Sequence, residues 1–184
     1  MKKAVILILS IVLTLQLIHG QGKYLTKKGL ISFYSHTMIE DITAINENAA
    51  AVIDGNSGEI AIILKMNEFI FEKKLMQEHF NENYVESHIF PRATFNGKIT
   101  NNEKIDYTTP GTYKVKVGGK MLIHGVTRDI STDGTIEVTG KGIIARTKFL
   151  LNPEDYDIKI PRLVRKNIAE NMEITTELVC NPVK

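Results

Sequence analysis

The chain has 184 residues, enough for one domain with a sizeable hydrophobic core. Its formal net charge is only +2, and two lysines near the amino terminus account for that excess, so the remainder of the chain is neutral. Because nucleic-acid binding depends on many lysines and arginines that neutralise phosphates, this balance argues against a nucleic-acid partner.

The first twenty residues have the features of a signal peptide. Two lysines follow the initiator methionine, and a mainly apolar run over residues 4–18 comes next. This run is too short and too polar at its end for a typical membrane span. We therefore predict a signal peptide over residues 1–20, a mature domain over residues 21–184 and a periplasmic or secreted location. An uncleaved membrane anchor is the alternative.

Apolar and polar residues alternate with period two through most of the mature chain, as expected for strands with one inward and one outward face. Turn signals lie between these segments, at Asp54-Gly55-Asn56, Pro110-Gly111, Asp133-Gly134 and Asn152-Pro153. Short strands and tight turns predict an all-β antiparallel domain, either a sandwich or a barrel. The alternating segments include residues 31–36, 59–65, 94–100, 113–123, 136–139, 156–160 and 172–178.

One segment departs from this period. Between Phe71 and Phe80, the apolar residues are spaced by four, one and four positions, with Leu75 and Met76 in the middle and charged or polar residues between them. This spacing predicts one short amphipathic helix. Its apolar stripe must pack against the β structure, so we expect the helix to cover an end or flank of a barrel.

The sequence offers little for catalysis or metal binding. Cys180 is the single cysteine, so it can form neither an intramolecular disulfide nor a thiolate metal site. Adjacent carboxylates at Glu40-Asp41 and Glu154-Asp155 stand beside turns, where solvated loops are the simpler interpretation. We therefore predict a protein that is not an enzyme and has no metal or cofactor. The histidines of the mature chain lack metal-type spacing; they are His36, His79, His88 and His124.

Two arginines and two glycine-rich stretches leave alternatives open. The guanidinium of Arg128 or Arg146 could hold a polar head group at a barrel mouth, or it could form a surface ion pair. No convincing helix follows Gly118-Gly119 or Gly140-Lys141-Gly142. These glycines therefore predict bulges or bends in curved strands, not a phosphate site.

The inward faces of the predicted strands carry many large aromatic or flexible side chains. An eight-strand barrel can be packed by its own side chains or can hold one slender ligand, and such residues favour a lined tunnel. We predict a site for a hydrophobic ligand; the alternative is a filled barrel that acts through its outer surface in an envelope complex. The predicted lining is Phe33, Ile62, Leu64, Phe95, Ile99, Met121, Ile123, Phe149, Ile158 and Ile160, capped by Leu75, Met76 and Phe80.

Four stretches resemble a known family. Residues 78–95 include the sequence IFPRATF, residues 119–128 read GKMLIHGVTR, residues 33–36 read FYSH, and Phe149 is followed by an apolar alternation over residues 156–160. Together they resemble the YceI-like family of lipid and polyisoprenoid-binding proteins. The run over residues 38–46 departs from that family's glycine-containing pattern, so we expect a different shape in this strand pair at the tunnel mouth.

The resemblance implies a lipocalin-like antiparallel β-barrel of about eight strands, exported and with a central tunnel. The implied partner is a hydrophobic small molecule: a polyisoprenoid, an isoprenoid quinone or an acyl lipid. A transient membrane contact is expected, and the oligomeric state stays open, with a homodimer as one option.

Overall fold

The computed structural model describes residues 22–183, so the predicted signal peptide lies outside the described residues. Nine strands and one short α-helix form the framework. The strands are β1 (Lys23–His36), β2 (Asp41–Asp54), β3 (Glu59–Lys65), β4 (Ile70–Phe71), β5 (Arg92–Ile99), β6 (Gly111–Ile123), β7 (Val126–Thr139), β8 (Gly142–Leu151) and β9 (Met172–Pro182), and the helix is α1 (Lys74–His79).

Eight of the strands close into a ring. The hydrogen-bonded order runs from β1 through β9, β8, β7, β6, β5 and β3 to β2, and β2 pairs again with β1. All of these pairs are antiparallel. The two-residue β4 lies outside the ring and pairs only with β2. The prediction of an all-β, lipocalin-like antiparallel barrel with one short helix is therefore confirmed.

Period-two alternation places the apolar side chains inside the barrel. In β3, Ile60 and Leu64 are buried, whereas Glu59 and Lys65 are exposed. Each inward side chain leaves water while its neighbours stay solvated, which stabilises this register, because a slip by one residue would exchange the two faces.

Two local predictions about the strands are wrong. Asp133-Gly134 is not a turn, because it lies inside β7, where Gly134 pairs with Thr147. A Cβ atom at Gly134 would lie only 2.6 Å from the carbonyl oxygen of Arg146, so this glycine serves a close strand approach. The bulge predicted at Gly118-Gly119 is absent, because β6 runs through both residues without a register shift.

Two further predicted boundaries differ from the structure. Residues 156–160 form no strand. They begin at the last residue of a 3₁₀ turn (Pro153–Tyr156), and their alternation reflects Tyr156 and Ile158 packing inward from an irregular segment. Helix α1 begins three residues later than predicted, since Phe71 belongs to β4. Beyond α1 the chain continues in a widened helical turn, closed by a hydrogen bond from the amide of Val85 to the carbonyl of Phe80.

One end of the barrel is packed solid. We call its buried cluster the floor, defined as Ala51, Ile99, Ile105, Val138, Ile143 and Cys180. Tyr24 and Tyr107 stack at this end with ring centroids 5.6 Å apart. Burial raises the pKa of Tyr107 to about 12, and its hydroxyl donates a 2.8 Å hydrogen bond to Oδ1 of Asn102. These contacts close this end of the barrel with side chains.

Two segments cover the opposite end: the cap, residues 66–91, which includes β4 and α1, and the strap, residues 152–171. Phenylalanine rings from β1 and the cap form a cluster with centroids 5.0–5.7 Å apart. The clustered rings are those of Phe33, Phe69, Phe71 and Phe80.

No helix within residues 22–183 has the length and apolar character needed to cross a membrane.

A polar clasp joins the cap and the strap to the turn between β1 and β2. Nζ of Lys73 donates to Oε1 of Glu40 at 2.7 Å, and Nδ2 of Asn167 donates to the other carboxylate oxygen at 3.3 Å. Nearby, the amide of Ala169 donates a 2.8 Å hydrogen bond to Oγ of the fully buried Ser35. We define the clasp as Glu40, Lys73 and Asn167.

A cross-strand glycine pair shapes the barrel wall between β5 and β6. Gly97 and Gly119 face each other, and the ring of Phe95 lies over both. A Cβ atom on Gly119 would lie 2.4 Å from the Cα of Gly97 and 2.5 Å from the carbonyl oxygen of Asn96. Because the closest atoms are backbone, neither neighbour can rotate away.

We therefore expect Gly119→Ala to lower the free energy of unfolding by about 2 kcal/mol or more, as overpacking against fixed atoms does. Gly118→Ala is the matched control, since a Cβ atom at Gly118 would meet its nearest neighbours only at 3.8 Å. Urea titration of both variants measures the difference. Equal stability of the two variants would contradict the close packing of this glycine pair.

The clasp makes a prediction that depends on pH. Hydrogen bonds from Lys73 and then Asn167 lower the pKa of Glu40 from its ordinary value of 4.5. A carboxyl group whose pKa is lowered by folding stabilises the fold at pH values above its ordinary pKa. That stabilisation is lost as the pH falls through the lowered pKa. We expect Glu40→Gln to accelerate amide hydrogen exchange in residues 74–84 at neutral pH, and the difference from wild type to vanish in acid.

Glu173→Gln is the control for this experiment. Glu173 of β9 pairs with Lys148 of β8 at 2.8 Å, and neither residue belongs to the cap. Its loss should leave exchange in residues 74–84 unchanged, because exposed ion pairs contribute little and this pair does not contact the cap. If both variants gave the same exchange rates in the cap, Glu40 would have no special role there.

Candidate functional site

A cavity of about 480 Å³ occupies the barrel between the floor and the cap. Ligand sites in proteins commonly measure about 300–1,000 Å³, and an apolar cavity of about 150 Å³ already binds benzene. This space is therefore large enough for an organic molecule much larger than a single ring. All eight barrel strands contribute to its lining, together with the cap and the strap.

The lining is predominantly apolar. The polar residues deep in the barrel are mainly threonines, such as Thr135, Thr147 and Thr176, whose methyl groups add to the apolar surface. The charged lining residues Glu40 and Lys73 belong to the clasp and are paired with each other. The cavity can therefore exclude water from a hydrocarbon, and its ionised groups lie at the capped end.

The structure brings together all but one of the residues predicted to line a tunnel. Ile99 is the exception: its side chain is fully buried in the floor and is not among the residues that line the cavity. The role of these residues in ligand binding stays a prediction. Those that line the cavity are Phe33, Ile62, Leu64, Leu75, Met76, Phe80, Phe95, Met121, Ile123, Phe149, Ile158 and Ile160.

Other lining residues were missed by the sequence analysis. Met66 and Phe69 come from the cap, and Val164 and Ile168 come from the strap. The alternation in residues 69–71 was a usable signal, since Phe69 and Phe71 are buried and Ile70 is exposed. After the alternation over residues 156–160, the rest of the strap gave no periodic signal, because its backbone is irregular up to β9.

The remaining candidate groups have other roles. Arg146 donates to Glu137 and to Glu177 at 2.7 Å each, so it forms a surface ion pair. Burial raises the pKa of the Cys180 thiol to about 12, so this floor residue is unreactive near neutral pH. In the described part of the chain, no three His, Cys, Asp or Glu side chains cluster closely enough to hold a metal ion.

His124 links the cap to the strap at the hairpin between β6 and β7. Its Nε2 lies 3.0 Å from Oε2 of Glu86, and its Nδ1 lies 3.1 Å from the carbonyl oxygen of Tyr156. The ring of Phe90 packs edge-on against it at a centroid distance of 4.4 Å. His124 is therefore a structural link at the covered end, and it is not among the cavity-lining residues.

Solved structures with the same fold share little sequence with this chain. A polyisoprenoid binding domain from Saccharophagus degradans has a TM-score of 0.73 and 14% identity, covering 88% of this chain and 99% of that one. BcnA of Burkholderia cenocepacia has a TM-score of 0.69 and 16% identity, covering 82% and 94%. The YceI protein of Campylobacter jejuni has a TM-score of 0.62 and 18% identity, covering 81% and 89%.

The sequence itself assigns the family. A search of curated proteins gave no significant match. The family model described as the YceI-like domain matches residues 25–180, from within β1 to within β9. The resemblance found in the sequence is thus confirmed: the chain belongs to the YceI-like family.

Proposed function

We propose that this protein holds one linear hydrophobic molecule in its barrel cavity and that it is a carrier, not an enzyme. The ligand class is a polyisoprenoid, an isoprenoid quinone or an acyl lipid. The observation that supports the proposal is the apolar cavity of about 480 Å³ between floor and cap. The name of the similar domain from Saccharophagus degradans, which states polyisoprenoid binding, supports the same ligand class.

The hydrophobic effect is sufficient to bind such a ligand. Each buried methylene contributes about 0.8 kcal/mol, so a tail of about twenty carbons gains on the order of ten kcal/mol before ordering costs are subtracted. An apolar lining with few polar groups is what this mode of binding requires.

The proposal includes a place of action in the periplasm or outside the cell, with a transient membrane contact for loading or release. The leader composition and the neutral mature chain are consistent with this location. A filled barrel acting only through its outer surface is the competing function. The hollow region above the floor argues against it, because a well-packed core leaves few voids larger than a water molecule.

Native mass spectrometry of the gently purified mature protein, combined with solvent extraction, tests the proposal. We expect a stoichiometric hydrophobic adduct that leaves with the solvent. The apo protein should then bind the apolar fluorophore N-phenyl-1-naphthylamine. A protein without an adduct and without affinity for this probe would contradict the carrier function.

A matched pair of substitutions locates the binding. Ile62 lines the cavity, whereas the adjacent Ile63 is 39% exposed on the outer face of β3. We expect Ile62→Trp to lower probe affinity about tenfold or more, because the indole occupies the cavity, and Ile63→Trp to leave it unchanged. Fluorescence titration gives both affinities, and circular dichroism checks that both variants are folded. Equal affinities would place the probe outside the barrel.

A further inference from the structure

The barrel wall is not continuous between β7 and β8. These strands pair only from Gly134↔Thr147 to Thr139↔Gly142. Over the half nearer the cap, β7 pairs with β6 and the end of β8 pairs with β9, but in the described chain no ladder joins residues 126–133 to residues 148–151. The two strands therefore separate beside the cavity.

A second pocket of about 300 Å³ fills this gap. Arg128 and Asp129 of β7 line one side, and Leu150 of β8 lines the other. The 3₁₀ turn closes the pocket with Asp155 and Tyr156. Nε of Arg128 donates a 2.8 Å hydrogen bond to the carbonyl oxygen of Asp155, which fixes this turn against β7. We call this space the lateral pocket.

The lateral pocket and the main cavity share part of their lining. The residues that line both spaces are Met121, Ile130, Phe149 and Leu151. Because the backbone ladder is interrupted here, rotation of these side chains joins the spaces without breaking a strand pair. The ladder between β2 and β3 is also short, but there β4 of the cap pairs with β2 at Ala44 and Ile45.

The lateral pocket has unused hydrogen-bond donors. Within residues 22–183, the hydroxyl of Tyr156 and the two terminal nitrogens of Arg128 form no hydrogen bond with another group. Burial raises the pKa of Tyr156, the nearby charge of Asp155 adds to this, and Arg128 opposes it. The hydroxyl therefore stays protonated near neutral pH and can donate to a ligand oxygen.

The formal charges around the pocket sum to zero. Arg128 and Asp155 on its lining carry opposite charges, although Arg128 bonds only the backbone carbonyl oxygen of Asp155, and Asp129 forms an ion pair with Lys120 at 3.0 Å. A fully charged end group would disturb this balance, whereas an uncharged oxygen could accept hydrogen bonds from Arg128 and Tyr156. This chemistry fits a hydroxyl or carbonyl group attached to a long hydrocarbon.

From this geometry we infer that the ligand's hydrocarbon lies in the main cavity while its uncharged, oxygen-bearing end passes between β7 and β8 into the lateral pocket, beside Arg128 and Tyr156. The inference rests on the proposed function and adds to it a polar subsite and an opening in the side of the barrel. It differs from an arrangement in which the polar end lies at the clasp under the cap.

Two probes with the same hydrocarbon test the subsite. Farnesol carries a terminal hydroxyl, and farnesene lacks it. Tyr156→Phe should weaken farnesol binding about fivefold, the effect of losing one neutral hydrogen bond, and leave farnesene unchanged. Because this hydroxyl forms no hydrogen bond with the described protein, the substitution should not disturb the fold.

Arg128→Met should weaken farnesol about tenfold, again with little effect on farnesene. Arg146→Met is the matched control, because this arginine pairs with Glu137 and Glu177 and lines neither space. Displacement of N-phenyl-1-naphthylamine gives all the affinities. Equal effects on both probes, or none on either, would overturn the subsite. Failure of wild type to bind either probe would instead contradict the proposed function on which it rests.

Photolabelling fixes the position of the polar end independently. A farnesol analogue with a diazirine next to its oxygen should label residues 128–131 or 149–156 on irradiation, as read by peptide mass spectrometry. Labelling concentrated on Glu40, Lys73 or Asn167 would overturn the inference and place the polar end at the clasp.

Discussion

The structure depends on the closure of its backbone ladder. β1 pairs with β9 on one side and with β2 on the other, so the eight-strand sheet closes into a ring. Because hydrogen bonds between strands support the wall, the interior need not be filled with side chains along its whole length. The barrel can therefore combine a solid floor with an empty space above it, and the cap and strap then cover that space.

Strand periodicity made the fold largely predictable. The inward and outward residues of β3, β5 and β9 follow from period two, because only one face of each strand leaves water. The same rule failed where the residue types favour one local structure and tertiary contacts favour another. Gly134 is typical of a turn, yet it allows β8 to approach β7 closely, and residues 156–160 alternate in burial without any strand partner. One sequence does not reveal where neighbouring backbones meet.

The cavity lining was predictable in composition and less so in position. Alternation shows that Ile99 points inward, but it does not show that this level of the barrel is packed. Phe95 illustrates the missing information: its ring lies along the wall because Gly97 and Gly119 oppose each other across two strands, a relation that only the register shows. The part of the strap after residue 160 and the separation of β7 from β8 have no periodic signature. Their contributions follow from long-range packing.

The floor also sets a length scale. A tube that is blocked at one end admits a chain only as far as the obstruction, however favourable further burial would be. Past that depth, each added methylene lies outside and adds nothing to binding inside the barrel. Affinity within a homologous series should thus rise with carbon number and then level off. The depth of the cavity, which ends at Ile99 and its packed neighbours, sets the chain length at which affinity stops rising.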